Sequence, residues 1–80
     1  MVWITKIKFE PKDYDRILKV LEDTKETAKK RGEEFSYNIV GNTVLIYSNS
    51  KDIAHKRGLL FTKKYLKDLN LFYNVEWKRV

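Results

Sequence analysis

Hydrophobic and polar positions alternate along three stretches of this 80-residue chain and recur with helical spacing along two others. Residues 2–9 alternate, which predicts a strand whose Ile7 and Phe9 face the core. Residues 71–80 alternate again and predict the last strand. Each of these strands has one clearly more apolar face, as expected for a sheet that is covered on one side.

The third alternating stretch, residues 35–48, predicts a hairpin, because Gly41-Asn42 is a two-residue turn between two alternating runs. If Val40 pairs with Thr43, residues that lie opposite each other share a face. This register puts five residues on the inner face: Phe35, Tyr37, Ile39, Val44 and Ile46. Four residues fall on the outer face: Ser36, Asn38, Leu45 and Tyr47.

Helical spacing first appears after Pro11, a residue that is tolerated in the first turn of a helix. Basic residues 29–31, followed by Gly32, predict the end of this helix. Cations are favourable at the negative end of the helix dipole, and glycine tolerates the left-handed conformation that often follows a helix. One apolar stripe runs along this helix: Tyr14, Ile17, Leu18, Leu21, Thr24 and Ala28.

A second helix is predicted from about residue 51 to 69, with Ser48, Asn49 or Ser50 as its cap. Gly58 is a point where it kinks or breaks. Its buried face is predicted to carry five residues, with Leu59 and Leu66 flanking them: Ala54, Gly58, Phe61, Tyr65 and Leu69.

The order strand, helix, strand, strand, helix, strand predicts an α+β fold. We expect a two-layer sandwich with a ferredoxin-like βαββαβ order, in which two helices cover one face of a four-stranded antiparallel sheet. Residues 1–80 are predicted to form a single domain. The chain has no Cys, so the hydrophobic core must stabilise it without disulfides.

The whole chain has a net charge of +6. Most of this positive charge lies in residues 51–80. Residues 1–50 carry nine Lys and Arg against eight Asp and Glu, a balance of +1. Residues 51–80 carry eight against three, a balance of +5. A chain with one nearly neutral half and one basic half typically uses the basic half to bind a polyanion.

The second predicted helix carries five of these cations on the arc opposite its buried face: Lys56, Arg57, Lys63, Lys64 and Lys67. Lysine predominates, which suits point contacts to phosphate more than readout of bases. The same arc holds Ile53 and Leu60, which is unusual for a purely solvated face. The alternative interpretation is a charged, solvent-exposed face without a partner.

Five further cations are candidate contacts at the end of the first helix and in the last strand: Lys29, Lys30, Arg31, Lys78 and Arg79. For residues 29–31 the helix dipole is a sufficient explanation by itself. The acidic residues of the first helix alternate with lysines, which is typical of a solvated face rather than of paired catalytic carboxylates.

Neither a catalytic nor a metal site is predicted. His55 is the only histidine and there is no Cys, so a zinc site would lack its usual ligands. The sequence leaves open that Ser48 or Ser50 meets His55, but no third group is evident to orient the histidine. The three glycines are isolated and form no phosphate-binding loop. We expect a protein that is not an enzyme and uses no cofactor or small-molecule substrate.

We expect no membrane association, because no apolar run approaches the ~18 residues that span a bilayer. The first residues lack the charged-then-apolar layout of a signal peptide. An intracellular, cytoplasmic location is therefore predicted. The absence of Gln and Cys together with abundant Lys and Glu suggests a thermophilic origin.

The segment Thr62-Lys63-Lys64-Tyr65-Leu66-Lys67, followed by Asn70-Leu71, resembles the eukaryotic-type large-subunit ribosomal protein family numbered twenty-two. The likeness extends more weakly through Thr43–Ser48 and the Lys56-Arg57 pair. That family belongs to the large ribosomal subunit and contacts ribosomal RNA through basic residues. The resemblance implies RNA-contact roles for five residues: Lys56, Arg57, Lys63, Lys64 and Lys67.

The leading hypothesis is thus an RNA-binding domain that docks its second helix on structured RNA, with ribosomal RNA as the specific candidate. Two alternatives stay open: a protein-interaction or homodimer module, and a protein that coats duplex DNA. The former would use Leu60 and Ile53 or the outer sheet face, where four apolar residues lie: Val2, Ile4, Leu45 and Tyr47. A single-strand RNA platform would need several aromatic residues on the sheet. Tyr47 and Phe72 are candidates, but the RNA-recognition-motif signature is missing.

Overall fold

Four strands and two helices form in the predicted order in the computed structural model, which describes residues 1–79. Their bounds are β1 Val2–Lys8, α1 Tyr14–Lys30, β2 Ser36–Val40, β3 Thr43–Ser48, α2 Lys51–Leu60 and β4 Tyr73–Lys78. A 3₁₀ turn precedes α1, and a π-helical turn and a second 3₁₀ turn follow α2: Pro11–Asp13, Phe61–Tyr65 and Lys67–Leu69. The strand predicted over residues 71–80 is shorter than expected, and its last residue, Val80, lies outside the described residues.

The sheet has the strand order β2-β3-β1-β4, and every pair of neighbours is antiparallel. The predicted α+β fold with the order βαββαβ is confirmed. The predicted hairpin register is also confirmed, since Val40 lies opposite Thr43 and Ile39 lies opposite Val44. Gly41 begins the turn with a φ of 62°, a value that residues with a side chain rarely adopt.

One hydrophobic core lies between the sheet and the helices. Its members come from both helical segments and from the inner face of the sheet, so both helices cover the same face: Ile7, Phe9, Ile17, Leu21, Ala28, Phe35, Val44, Ile46, Phe61, Leu66 and Leu71. Tyr37 and Ile39 pack against it from β2. The inner face predicted for the hairpin is therefore confirmed.

The predicted end of α1 is confirmed in detail. Gly32 has a φ of 71°. The backbone N–H of Glu33 donates to the carbonyl of Ala28 at 2.8 Å, and that of Gly32 donates to Lys29 at 3.1 Å. These two bonds satisfy carbonyls that would otherwise be left open at the helix end.

The first turn of α2 is capped by Ser50, one of the three predicted candidates. Its hydroxyl oxygen accepts a hydrogen bond from the backbone N–H of Ile53 at 3.2 Å. From this cap, α2 crosses the inner face of the sheet above β1 and β4. The hydroxyl of Thr5 on β1 donates to the carbonyl of Ala54 at 2.8 Å, and both residues are fully buried.

Gly58 brings α2 unusually close to the sheet. A Cβ atom at this position would overlap the ring of Tyr73, with the ring carbon Cγ only 2.5 Å away. The ring of Tyr73 on β4 thus fills the space that a side chain on the helix would occupy. Gly58 does not break the helix, since α2 continues through it to Leu60.

The prediction of one helix as far as Leu69 is wrong, because the regular helix gives way to a π-helical turn. The backbone N–H of Leu66 donates to the carbonyl of Phe61, five residues earlier, at 3.0 Å. The extra residue in this turn shifts the side chains that follow. Leu66 is therefore buried in the core, while Tyr65, which was predicted to be buried, is 41% exposed.

Two more side chains near the π turn show this shift in which residues are buried. The hydroxyl of Thr62 is buried and donates to the carbonyl of Gly58 at 2.8 Å. Leu59, which was predicted to flank the buried face, is 49% exposed. The set of buried residues after α2 therefore differs from the set that a regular helix would bury.

We expect Gly58→Ala to destabilise the protein although alanine favours a helix by about 1 kcal/mol over glycine. The added methyl group would force α2 and Tyr73 apart, and such overpacking typically costs about 1–3 kcal/mol. Urea unfolding of the single variant and of the same change in a Tyr73→Ala background would measure both effects.

With the Tyr73 ring removed, the sign should reverse, so that Gly58→Ala stabilises the Tyr73→Ala protein. An increase in stability in the wild-type background would contradict the close packing described here.

Candidate nucleic-acid interface

Four exposed lysines follow the outer side of α2 and the two turns after it: Lys56, Lys63, Lys64 and Lys67. We refer to this set as the cationic ridge. Lys56 belongs to α2, whereas the others lie in the π turn and the second 3₁₀ turn. Lys56, Lys63 and Lys64 line one shallow surface recess together with Leu59 and Leu60.

Two of the three carboxylates in the basic half are held by cations from the other half. Lys6 on β1 binds Glu76 with Nζ 2.9 Å from a carboxylate oxygen, and Arg16 on α1 binds Asp68. Within residues 1–79 no salt bridge involves a lysine of the cationic ridge. The positive charge of the ridge is therefore not paired with a carboxylate of the described residues.

The Arg16–Asp68 pair also fastens the second 3₁₀ turn to the start of α1. Two parallel hydrogen bonds of 2.5 and 2.7 Å join the guanidinium to the carboxylate. The hydrogen bond from Arg16 lowers the pKa of Asp68, and the same bond raises the pKa of Arg16. Asp68, next to Lys67 in the chain, therefore stays ionised and paired with Arg16.

Arg57, predicted as part of the same basic surface, is turned towards the interior. One of its nitrogens, Nη1, donates to the carbonyl of Tyr47 at 3.2 Å and to the hydroxyl of Ser48 at 3.3 Å. The other, Nη2, donates to the carbonyl of Glu34 at 2.7 Å. The guanidinium lies 5.1 Å from the ring centre of Phe35.

This burial lowers the pKa of Arg57 from its ordinary value, because desolvation disfavours the charged form. The arginine ties α2 to the end of β3 and to the connection that precedes β2. No pattern within the helix indicates this direction, because the hydrogen-bond partners of Arg57 all lie in other elements. The helical wheel grouped it instead with its neighbour Lys56.

Four of the predicted contacts lie away from Lys63, Lys64 and Lys67. Residues 29–31 are at the end of α1, which runs from the β1–α1 connection towards the far end of the sheet. Lys78 ends β4 opposite Val2, whereas Tyr73 begins it opposite Ile7, five strand positions or roughly 17 Å away. The structure therefore does not bring four cations together with those lysines: Lys29, Lys30, Lys78 and Arg79. Arg31 approaches the ridge only at Lys56, since both line the groove between α1 and α2.

Aromatic rings flank the cationic ridge. The Nζ atom of Lys63 lies 5.6 Å from the ring centre of Phe72, and that of Lys64 lies 5.9 Å from the ring centre of Tyr65. Phe72 is 79% exposed. These distances are within the range of cation–π attraction, so lysines and exposed rings form one mixed surface.

His55 lies beside the ridge and is half-buried. Its Nδ1 atom is 3.2 Å from the hydroxyl oxygen of Tyr73, and the two rings meet edge-on. The hydroxyl of Ser48 accepts from Arg57, and that of Ser50 caps α2. These serines therefore have structural partners. In the part of the chain that the structure describes, no cluster of three or more His, Asp or Glu residues could hold a metal ion.

A groove lies between α1 and α2 and reaches the end of β3 at Tyr47 and Ser48. Val20 and Thr24 line it from α1, and Ile53 and Leu60 line it from α2. This position explains the two apolar residues that interrupt the cationic arc in the sequence. Lys56 lies between this groove and the ridge surface and lines both.

The uncovered face of the sheet is less apolar than the sequence suggests. Ile4 is only 5% exposed, with Tyr47 and Glu76 as its partners on the adjacent strands. Val2 and Leu45 are half-buried. Their cross-strand neighbours therefore already cover much of the predicted dimer surface.

Comparison with protein-family models, curated proteins and solved structures gives no match to this chain. Across residues 1–79, none of the helices is sufficiently long and apolar to cross a membrane.

Replacing Arg57 with methionine should destabilise the fold. The change removes the donors to two part-buried acceptors, at Tyr47 and Ser48, and to the exposed carbonyl of Glu34, while keeping the apolar stem. A loss of about 1 kcal/mol is expected, because leaving buried acceptors unpaired costs about 1–3 kcal/mol and these are only partly buried. Lys56→Met is the matched control, because Lys56 is adjacent to Arg57 but exposed. Substitutions at exposed positions usually change stability by no more than about 0.5 kcal/mol. Urea unfolding would compare the two, and equal stabilities would contradict the structural role of Arg57.

Proposed function

We propose that this chain is a non-enzymatic RNA-binding protein that docks its cationic ridge on structured RNA. The observation that carries the proposal is the row of four exposed lysines without carboxylate partners among residues 1–79. Asp68, beside Lys67, is paired with Arg16. Asp52 lines the same surface as Lys56, Lys63 and Lys64 but forms no salt bridge with them. The ridge therefore presents charge that is satisfied best by a polyanion.

Binding of this kind gains free energy when lysines replace the counterions condensed on the phosphates. The ridge contains lysine only, because Arg57 is held by backbone carbonyls. Lysine ammonium groups make point contacts and lack the planar fork that reads a guanine edge. The expected recognition is therefore of the RNA backbone and its shape.

The turns after α2 help to place the lysines. The π turn leaves Lys63 and Lys64 exposed while Leu66 fills the core. The Arg16–Asp68 pair then holds the turn that carries Lys67. A ridge fixed at several points loses less conformational entropy when it binds than lysines on a mobile loop.

The resemblance to the large-subunit ribosomal protein family covers most of the ridge, which supports ribosomal RNA as the specific partner. On this proposal the protein acts in the cytoplasm, where ribosomes work. A thermophilic origin remains a prediction from composition. Binding to large-subunit ribosomal RNA, compared with an unrelated RNA of equal length, would separate ribosomal recognition from general RNA binding.

The test is a salt titration of binding to an RNA hairpin and to a DNA duplex of the same sequence. Four phosphate contacts predict a slope of roughly −3 to −4 in a plot of log affinity against log salt. Changing Lys63, Lys64 and Lys67 together to glutamate should make that slope less steep by roughly 2 to 3.

The matched control reverses three exposed lysines elsewhere, Lys12, Lys19 and Lys25. Both triple variants lower the net charge from +6 by six units to zero, so a difference between them reports position rather than total charge. The control should keep most of the wild-type slope. Equal losses in the two variants, or RNA affinity unchanged by the ridge variant, would overturn the proposal, and a preference for DNA would indicate the alternative partner.

A further inference from the structure

Phe72 is held in the solvent by the structure around it. The second 3₁₀ turn ends at Asn70, whose φ of 52° is left-handed and redirects the chain towards β4. Leu71 then enters the core at 8% exposure, and Tyr73 packs against Gly58. With both neighbours anchored, the extended chain turns Phe72 to the other side, where 79% of it is exposed.

An exposed aromatic ring is by itself an ordinary surface feature. Here two further observations point to a ligand. The Lys63 ammonium lies 5.6 Å from the centre of the ring, so an aromatic surface and a cation are presented together. Phe72 also directly follows the turns that carry Lys63, Lys64 and Lys67, at the end of the proposed RNA-binding ridge.

We propose that Phe72 is a stacking site for an unpaired nucleobase of the bound RNA. This inference rests on the proposed function, and it specifies the RNA as a paired stem with a bulged or looped-out nucleotide. The base would stack on the phenyl ring, while Lys63 contacts an adjacent phosphate. Bases within a duplex are stacked on each other and cannot reach the ring, so the site selects for an unpaired base.

The Phe72 site also differs from a single-strand RNA platform, in which several aromatic residues lie on the sheet. Tyr47 lies on β3 in the uncovered face of the sheet, and it is half-buried among its neighbours. Phe72 stands before β4 and beside the end of the helical segment. A single stacking position therefore accompanies the lysines, in place of a row of rings across the sheet.

The experiment compares two RNA hairpins that differ only in one bulged 2-aminopurine nucleotide. The wild-type protein should bind the bulged hairpin about tenfold more tightly, given the usual contribution of one base stacked on an aromatic ring. Moving the bulged base from its RNA neighbours onto Phe72 should also increase its fluorescence, because stacking on other bases quenches 2-aminopurine. Phe72→Leu keeps an apolar side chain without the ring, and it should lose both the preference and the fluorescence increase.

Two controls separate the possible failures. Phe72→Tyr should keep the preference, and Trp77→Leu, which alters another exposed aromatic residue near the far end of β4, should leave it unchanged. If both hairpins bind with the expected salt slope but equally tightly, or if Phe72→Leu keeps the preference, the stacking site is wrong while the ridge stands. If neither hairpin binds at low salt, both proposals are overturned.

Discussion

The close approach of α2 to the sheet at Gly58 is the constraint on which the rest of the structure depends. The ring of Tyr73 occupies the space of a missing side chain, and the hydroxyl of Thr5 reaches the helix carbonyl at Ala54. A helix held this near β1 and β4 cannot shift outward. The π turn and the second 3₁₀ turn, which carry Lys63, Lys64 and Lys67, continue directly from the helix fixed by this contact.

The π turn accommodates the end of this tightly packed helix. Its extra residue allows both Phe61 and Leu66 to be buried, and Thr62 returns a hydrogen bond to the carbonyl of Gly58. Lys63 and Lys64 are left on the outside as a consequence. Packing in the core and charge on the surface are therefore two results of the same local geometry.

The elements that depend on local chemistry could be predicted from the sequence, whereas those that depend on distant contacts could not. The hairpin register and the end of α1 followed from turn residues and alternation, because these signals lie within a few positions of each other. The inward direction of Arg57 and the pairing of Arg16 with Asp68, which are 52 positions apart, depend on tertiary packing. Of the ten cations singled out from the sequence, four exposed lysines form the ridge, Arg57 is turned inward, and Arg31 meets the ridge only across the groove at Lys56.

The central claim is that RNA meets this protein at the end of α2 and the turns that follow. The most direct measurement is a titration of the labelled protein with an RNA hairpin, followed by amide NMR. The account predicts that the largest shifts appear at Lys63, Lys64, Lys67 and Phe72 and that residues 29–31 hardly change. Shifts concentrated at residues 29–31, or spread over the uncovered face of the sheet, would contradict it.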